Sequence, residues 1–185
     1  MFLNDYQVGA VSTAIYPDEV AVTYPTLGLA DEFGEFVEKT HVAPNLVAKE
    51  MGDILWYIAN LATDLDTPLD ELTARIGAPT TRLEAFQQWT DENRASFTVA
   101  DPSDFMAIKI GAICGLVKKL YRDDGGQLLD GRREKILTNL AWVLAGVSVL
   151  ATQLGLSLTA IAEGNLRKLA SRQERGTLHG DGDER

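Results

Sequence analysis

The chain has little cysteine and little histidine. Among its 185 residues there is one cysteine, Cys114, and there are two histidines, His41 and His179. The apolar neighbours of the thiol in IGAICGLV favour a buried, reduced side chain over a metal ligand or a nucleophile, which fits a cytoplasmic protein. The histidines lie in a predicted turn and in a polar tail, without the spacing of a zinc site.

Positive charge and long hydrophobic runs are also scarce. The 17 basic residues against 27 acidic ones give a net charge of −10, which argues against nucleic acid as a partner. A small anionic substrate is compatible with this charge if divalent cations neutralise an acidic site. The opening MFLNDYQ is too polar for a signal peptide, and the longest apolar run, residues 140–151, is too short to span a bilayer. We therefore expect a soluble protein with no membrane partner, in which residues 140–151 belong to a core helix.

Strand patterns are nearly absent, since neither apolar alternation nor β-branched runs persist along the chain. Apolar residues instead recur at helical spacing, which predicts an all-α fold. The predicted helices cover residues 4–15, 26–40, 45–65, 69–76, 80–94, 102–122, 131–154 and 157–174. Most of the six prolines lie at the joints between them, where proline starts a helix or prevents its continuation.

Two segments resemble each other when residues 50–72 are laid without gaps on residues 139–161, at an offset of 89. Six of the 23 pairs are identical. This similarity indicates either an internal duplication or the common periodicity of two amphipathic helices.

If the chain is duplicated, only the first copy keeps an acidic pair, because Asn139 and Trp142 stand opposite Glu50 and Asp53. The predicted organisation is a first half with the acidic site, a connecting segment, a degenerate and pseudo-symmetric second half with basic residues, and a flexible tail. These parts are residues 1–76, 77–102, 103–175 and 176–185.

Four acidic residues form two pairs with the same spacing, Glu32 with Glu35 and Glu50 with Asp53. Residues three apart share one face of a helix, and the 14 residues between the pairs allow an antiparallel hairpin on which the pairs converge. Converging carboxylates repel one another, so a bound cation must compensate, and oxygen ligands favour Mg²⁺, with Mn²⁺ as a substitute. The alternative is a solvated acidic face on each helix. A glycine beside each pair argues against that alternative, because a helix interior disfavours glycine unless close packing or ligand access requires it.

The residues around these pairs, LGLADEFGEFVEK and KEMGDILWYIANLATDL, resemble the MazG-like NTP pyrophosphohydrolases, whose signature is E-x-x-E, a spacer and E-x-x-D. The C-terminal segment NLRKLASRQERGTLHGDGDER is similar to that family as well. The resemblance implies a helical bundle of the MazG-like type that hydrolyses a (d)NTP to a (d)NMP and pyrophosphate. It also implies that Mg²⁺ is held by Glu32, Glu35, Glu50 and Asp53.

Further residues are candidates for catalysis and binding. Asp31 and Glu32 are candidates for the base that takes a proton from the attacking water, since they lie beside the metal ligands. Tyr57 and Asn60 share a helical face with Asp53 and are expected to reach the sugar or the base. The resemblance implies that three residues of the C-terminal helix bind phosphates, with an ordinary basic helix end as the alternative. They are Asn165, Lys168 and Arg172.

The segment KKLYRDDGG, residues 118–126, resembles an element that follows the E-x-x-E helix in the family, and it departs from the family pattern because here it lies in the second half of the chain. Either it contributes Lys118, Lys119 or Arg122 to the acidic site of the other half, or these residues are surface charge. By a looser analogy with dUTP-hydrolysing relatives, Gln7 contacts the base.

Three functions remain open at this point. The first is an NTP pyrophosphohydrolase, and the second is a catalytically weak nucleotide-binding regulator or interaction module. The third is a triphosphate phosphohydrolase that releases inorganic phosphate from the same metal site. The intact acidic quartet favours the first. Because MazG-like domains assemble as dimers or tetramers, the resemblance also implies a homo-oligomer, unless the internal duplication replaces a subunit pair.

Overall fold

The computed structural model describes residues 1–178 as a bundle of eight α-helices. In chain order they are α1 Leu3–Val11, α2 Thr23–Val42, α3 Val47–Asp64, α4 Leu69–Ala74, α5 Leu83–Glu92, α6 Pro102–Asp123, α7 Asp130–Gln153 and α8 Leu158–Glu174. Strand-like pairing within the described residues is limited to an antiparallel bridge between Phe2 and Arg82. The predicted all-α fold is confirmed. Of the predicted tail at 176–185, residues 179–185 lie outside the described part of the chain.

Several helix ends differ from the prediction by a few residues, and two of them have clear local reasons. α2 begins at Thr23, three residues before the predicted start, because Pro25 lies in its first turn, where a missing N–H costs no hydrogen bond. α1 ends at Val11 rather than at residue 15. There the Ser12 hydroxyl donates to the Gly9 carbonyl at 2.7 Å and competes with continuation of the helix.

The helices form two hairpins that lie against each other. α2 packs along α3 in the first half, and α6 packs along α7 in the second. α1 lies against α3, and α5 takes the equivalent place against α7. The last helix of each half packs on the other half, since α4 contacts α7 and α8 contacts α3. The acidic pairs of the first hairpin therefore lie beside a helix from the far end of the chain.

A glutamine ties the start of α4 to the end of α3. Gln7 is 8% exposed, and its Oε1 accepts a hydrogen bond from the Leu69 backbone N–H at 2.8 Å. Its Nε2 donates to the Thr63 hydroxyl at 2.8 Å and to the Thr67 carbonyl at 3.0 Å. Both amide N–H groups of Gln7, which was predicted to contact a nucleotide base, thus bind groups within the protein.

Gln87 on α5 makes the same three hydrogen bonds in the second half. Its Oε1 accepts from the Leu158 backbone N–H at 2.9 Å. Its Nε2 donates to the Thr152 hydroxyl at 3.0 Å and to the Leu156 carbonyl at 2.9 Å. Each partner lies 89 residues after its counterpart at Gln7 (158 − 69, 152 − 63 and 156 − 67), which is the offset between the two similar segments of the sequence.

α1 and α5 also pair with each other where they begin. The Leu3 backbone N–H donates to the Thr81 carbonyl at 2.9 Å, and the Leu83 backbone N–H donates to the Met1 carbonyl at 3.1 Å. This reciprocal pairing gives the two helices equivalent places in the bundle, although α5 lies inside the segment 77–102 that the sequence predicts as a connection.

Removing the amide of Gln7 should destabilise the fold. Gln7→Ala leaves the Leu69 N–H and the Thr67 carbonyl without their partner, and an unsatisfied buried group costs about 1–3 kcal/mol. Gln87→Ala should cost less, because Gln87 is only half-buried. Urea denaturation monitored by circular dichroism measures both changes in the free energy of unfolding. Gln88→Ala is the control, since this exposed side chain bonds Glu92 alone. If Gln7→Ala lowers the free energy of unfolding no more than Gln88→Ala does, the stabilising role of Gln7 is contradicted.

α7 forms the centre of the core. It is long and apolar enough to cross a membrane, yet 72% of its most apolar 18-residue window is buried inside the bundle. Buried residues continue without interruption from Val143 to Ala151, and the hydroxyl of Ser148 among them lies 2.7 Å from that of Thr90 on α5. The prediction that residues 140–151 belong to a core helix is confirmed, and such a helix is compatible with a soluble protein.

Candidate metal centre

Three glutamates converge where α2 and α3 face each other. Glu32 and Glu35 on α2 and Glu50 on α3 each offer a carboxylate oxygen, and these three oxygens all lie within 4.8 Å of one another. Phe33 and Phe36 of α2 are buried in the same apolar core as the buried residues of α3, along which α2 packs. Solvent exposure increases across the centre, since Glu50 is 1% exposed and the Glu35 side chain is 47% exposed.

This separation suits a hard divalent cation. Mg²⁺ binds oxygen at 2.0–2.1 Å, so two oxygens on opposite sides of the ion lie about 4.2 Å apart. The three glutamate oxygens lie within 4.8 Å of one another, which is close enough for side-chain adjustment to bring them onto one ion. For Ca²⁺, which binds oxygen at 2.3–2.6 Å, the corresponding distance is about 4.6–5.2 Å. The donor set therefore fits a divalent cation with a preference for oxygen.

Lys39 supplies positive charge to two of these carboxylates. It follows Glu35 by one helical turn, and its Nζ lies 3.0 Å from Glu35 Oε2 and 2.7 Å from Glu50 Oε1. The Lys39 side chain is 16% exposed, so its charge is partly withdrawn from water beside the buried Glu50. Lys39 was not selected from the sequence, although its position four residues after Glu35 was a signal for this ion pair.

Asp53, the fourth predicted ligand, belongs to a second polar cluster beside the glutamates. Its carboxylate forms an ion pair with Lys168 and accepts a hydrogen bond from Asn165 Nδ2 at 3.1 Å. The Asn165 Oδ1 in turn accepts from the Tyr6 hydroxyl at 3.1 Å. Two of the three C-terminal residues predicted to bind phosphates thus converge on Asp53, and the third, Arg172, is buried on the same helix.

Gly52 permits this close approach of α8 to α3. A Cβ at position 52 would lie 3.0 Å from the Cβ of Asn165, closer than ordinary van der Waals contact. Of the two reasons that the sequence offered for a glycine here, close packing and ligand access, the structure shows close packing. Gly34, the glycine of the first pair, has nothing within 4 Å of the equivalent position, so packing does not account for it.

The titration of Glu32 is strongly perturbed. Burial, followed by the negative charges of Asp53, Glu35 and Glu50, raises the pKa of Glu32 to about 8, while Lys168 acts in the opposite direction. In the metal-free protein near neutral pH this carboxyl therefore holds a proton. Asp31, the other candidate base, is exposed on α2.

Tyr57 lies next to the acidic centre within a group of aromatic rings. The centre of its ring lies 4.8 Å from that of Trp56, with the two rings perpendicular, and 6.2 Å from that of Tyr24. The absence of a side chain at Gly28 makes room for it, because a Cβ there would overlap the tyrosine ring. Burial raises the pKa of the Tyr57 phenol well above its ordinary value.

Asn60 is enclosed one turn further along α3. It is 1% exposed, its Nδ2 donates to the Trp56 carbonyl at 2.9 Å, and its Oδ1 accepts from the Tyr16 hydroxyl at 3.4 Å. Trp56 is half-buried and donates from its indole N–H to the Ala10 carbonyl at 2.9 Å. A sugar would reach Asn60 only after these groups move.

The basic residues of the second half lie at the end of α6. Lys118 and Lys119 are exposed, and Arg122 pairs with the neighbouring Asp123 at 2.6 Å. A hydrogen bond between the Tyr121 and Thr23 hydroxyls places this end of α6 beside the start of α2. Thr23 precedes Glu32 by nine residues, or about 13 Å along the helix axis. The contact between Tyr121 and Thr23 therefore lies more than two helical turns from Glu32.

No protein-family model matches the chain, and no solved structure matches it. The chain is similar to the Gene 37 protein of Mycobacterium phage L5, with 39% identity over 75 residues. The matched stretch covers 40% of this chain and 66% of the phage protein, slightly less than two thirds of that relative's length. The name of the phage protein states no activity, so functional inference rests on the site itself.

The equivalent place in the second half is filled by aromatic rings. Trp142, which stands opposite Asp53 in the 89-residue register, lies 5.6 Å from the ring of Phe97 and 5.8 Å from that of Phe105. Asn139, opposite Glu50, bonds the Lys135 carbonyl of its own helix at 2.7 Å. Apolar packing thus takes the place of the ionic centre, and the three-carboxylate group found within residues 1–178 is that of the first half.

Proposed function

We propose that this chain is a cytoplasmic, Mg²⁺-dependent hydrolase that converts a (d)NTP to a (d)NMP and pyrophosphate. The observation that carries the proposal is the convergence of Glu32, Glu35 and Glu50 from two helices to within 4.8 Å, beside Asp53. The resemblance of both acidic motifs to MazG-like enzymes supports the same assignment. As in those proteins, we propose a homodimer or a homotetramer.

The residues divide the work of such a site by position. Glu35, Glu50 and Asp53 would hold Mg²⁺, or Mn²⁺ in its place, which would neutralise the triphosphate and lower the pKa of the attacking water. Glu32 is the better candidate for the base, because a pKa near neutrality suits proton transfer and Asp31 is exposed. Glu32 is also close enough to the other two glutamates to act as a ligand.

Positive groups near the carboxylates would bind the phosphates. Lys168 and Asn165 already contact Asp53, so a substrate bound there meets them at once, with Arg172 on the same helix. Lys118, Lys119 and Arg122 would act at the far end of a bound nucleotide. Tyr57 would line the sugar or base, whereas Asn60 would contribute after a local rearrangement.

The test is a panel of NTPs and dNTPs incubated with Mg²⁺, Mn²⁺ or Ca²⁺ in separate reactions. We expect monophosphate and pyrophosphate in equal amounts with Mg²⁺ or Mn²⁺, and none after addition of a chelator. Release of inorganic phosphate with a nucleoside diphosphate would contradict the proposed bond cleavage and indicate a phosphohydrolase.

A second candidate is a nucleotide-binding regulator without turnover. It is favoured by the ion pairs of Lys39 with two of the glutamates and of Lys168 with Asp53, because lysines that satisfy the carboxylates can stabilise the fold without a metal. Binding of a nucleotide by calorimetry, without any product from the full panel, would select this alternative.

A further inference from the structure

Lys39 bridges the inner and outer carboxylates of the metal centre. Its Nζ is within hydrogen-bond distance of both Glu50 Oε1 and Glu35 Oε2, which belong to two of the three residues grouped within 4.8 Å. The two acids come from different helices, so one ammonium group neutralises charge across the hairpin. The Lys39 ammonium group thus supplies one positive charge at the place where repulsion between the carboxylates has to be offset.

We propose that Lys39 exchanges partners when the site binds its metal and substrate. In the metal-free protein it is the counter-ion of Glu35 and Glu50. When the carboxylates of Glu35 and Glu50 bind a divalent cation, the ammonium group of Lys39 leaves them and pairs with the phosphates of the incoming triphosphate. The proposal rests on the proposed function, and it makes Lys39 both a competitor of the metal and a ligand of the substrate.

Electrostatics favours such an exchange. A carboxylate oxygen that donates its electrons to Mg²⁺ is a poor partner for an ammonium group, and the two cations repel each other at short distance. A triphosphate beside the metal offers the displaced ammonium new oxygens of opposite charge. The flexible four-carbon stem of lysine allows Nζ to swing to them while the backbone of α2 stays in place.

A matched control lies next to Glu50 in the sequence. Lys49 is exposed and makes no ion pair within residues 1–178, whereas Lys39 makes two. Lys39→Met and Lys49→Met remove the same charge near the same site. A difference between them therefore reports the contact of Lys39 with the carboxylates rather than the change in net charge.

The first measurement is calorimetric titration with Mn²⁺ in the absence of nucleotide. We expect Lys39→Met to bind Mn²⁺ about tenfold more tightly than the wild type, which is the size expected from a charge-assisted contact that no longer competes. Lys49→Met should stay within about twofold of the wild type. Circular dichroism confirms folding, and Lys39→Gln replaces Lys39→Met if the latter does not fold.

The second measurement is the affinity for a non-hydrolysable triphosphate analogue at saturating Mn²⁺. Here Lys39→Met should bind about tenfold more weakly than the wild type, and Lys39→Arg should retain most of the affinity because it keeps the charge. Opposite signs in the two titrations identify the exchange, because a residue with a purely structural role would weaken both.

The outcomes separate this inference from the proposed function. If the wild type hydrolyses nucleotides but Lys39→Met and Lys49→Met have equal affinities for Mn²⁺, the exchange is overturned and the enzymatic assignment stands. If Lys39→Met binds both the metal and the analogue more weakly, Lys39 is only a support of the site. If no variant binds Mn²⁺, both the inference and the metal centre are lost.

Discussion

Glu50→Gln should lower pyrophosphate release by at least about a hundredfold while the helical fold persists. Altering a residue that only orients a metal ligand already costs about 10- to 100-fold in affinity or activity, so the loss of a ligand should exceed that range. Glutamine has nearly the shape of glutamate, and its carbonyl can still accept from Lys39, which lies 2.7 Å from the carboxylate it replaces. The expected defect is therefore chemical rather than structural.

Three measurements distinguish a chemical defect from a structural one. Steady-state kinetics give kcat/KM, calorimetry with Mn²⁺ gives the metal affinity, and thermal unfolding gives the stability. Asp53→Asn should show the same loss of activity, since it removes the carboxylate that Lys168 and Asn165 hold in place. Glu38→Gln is the matched control, because Glu38 is exposed on the same helix as Glu32 and Glu35 and lies outside the three-carboxylate group. Wild-type rates in Glu50→Gln would remove the metal site from the mechanism.

The position of this centre was predictable because it depends on local geometry. The spacing of Glu32 from Glu35 places both on one face of α2, and the short link at residues 43–46 returns the chain along that face. Glu50 is buried together with Val47 and Ile54, which share its face of α3 about one turn away on either side. Helix spacing and a short turn were sufficient, since no distant part of the chain is needed to bring the glutamates together.

The contacts of Asp53 depend on residues more than a hundred positions away. The sequence marked Asn165 and Lys168 as phosphate ligands, but their hydrogen bond and ion pair with Asp53 arise from the packing of α8 on α3. That packing requires Gly52, whose role can be seen only when the neighbouring helix is known. Nothing in the local pattern of either segment specifies this pairing.

The equivalence of α1 and α5 was hidden by a difference in spacing. Leu3, Tyr6 and Gln7 match Leu83, Phe86 and Gln87 at an offset of 80, whereas the later helices match at 89. A comparison without gaps finds only one of these offsets. The nine extra residues of the second half lie between α5 and α7. The equivalence of α1 and α5 is therefore visible in the hydrogen bonds of Gln7 and Gln87 rather than in the sequence alignment.

Metal binding should release close to one proton per ion near neutral pH, and Glu32 should be its source. The pKa of this carboxyl in the metal-free protein is about 8, and a carboxyl must lose its proton to bind a cation. The affinity for Mn²⁺ should therefore rise with pH, by up to about tenfold per unit, and level off above about pH 8. Titrations in buffers with different enthalpies of ionisation count the protons released.

The same group sets the sign of the stability change in the metal-free protein. Folding raises the pKa of Glu32 from its ordinary value of 4.5 to about 8, so its contribution to stability is present below pH 4.5 and is lost as pH rises through 8. Glu32→Gln cannot ionise, so between those values its free energy of unfolding should fall less with pH than that of the wild type. The proton release on Mn²⁺ binding should vanish in the same variant, whereas Glu38→Gln should retain it. Equal proton release in Glu32→Gln and the wild type would place the proton on another group of the centre.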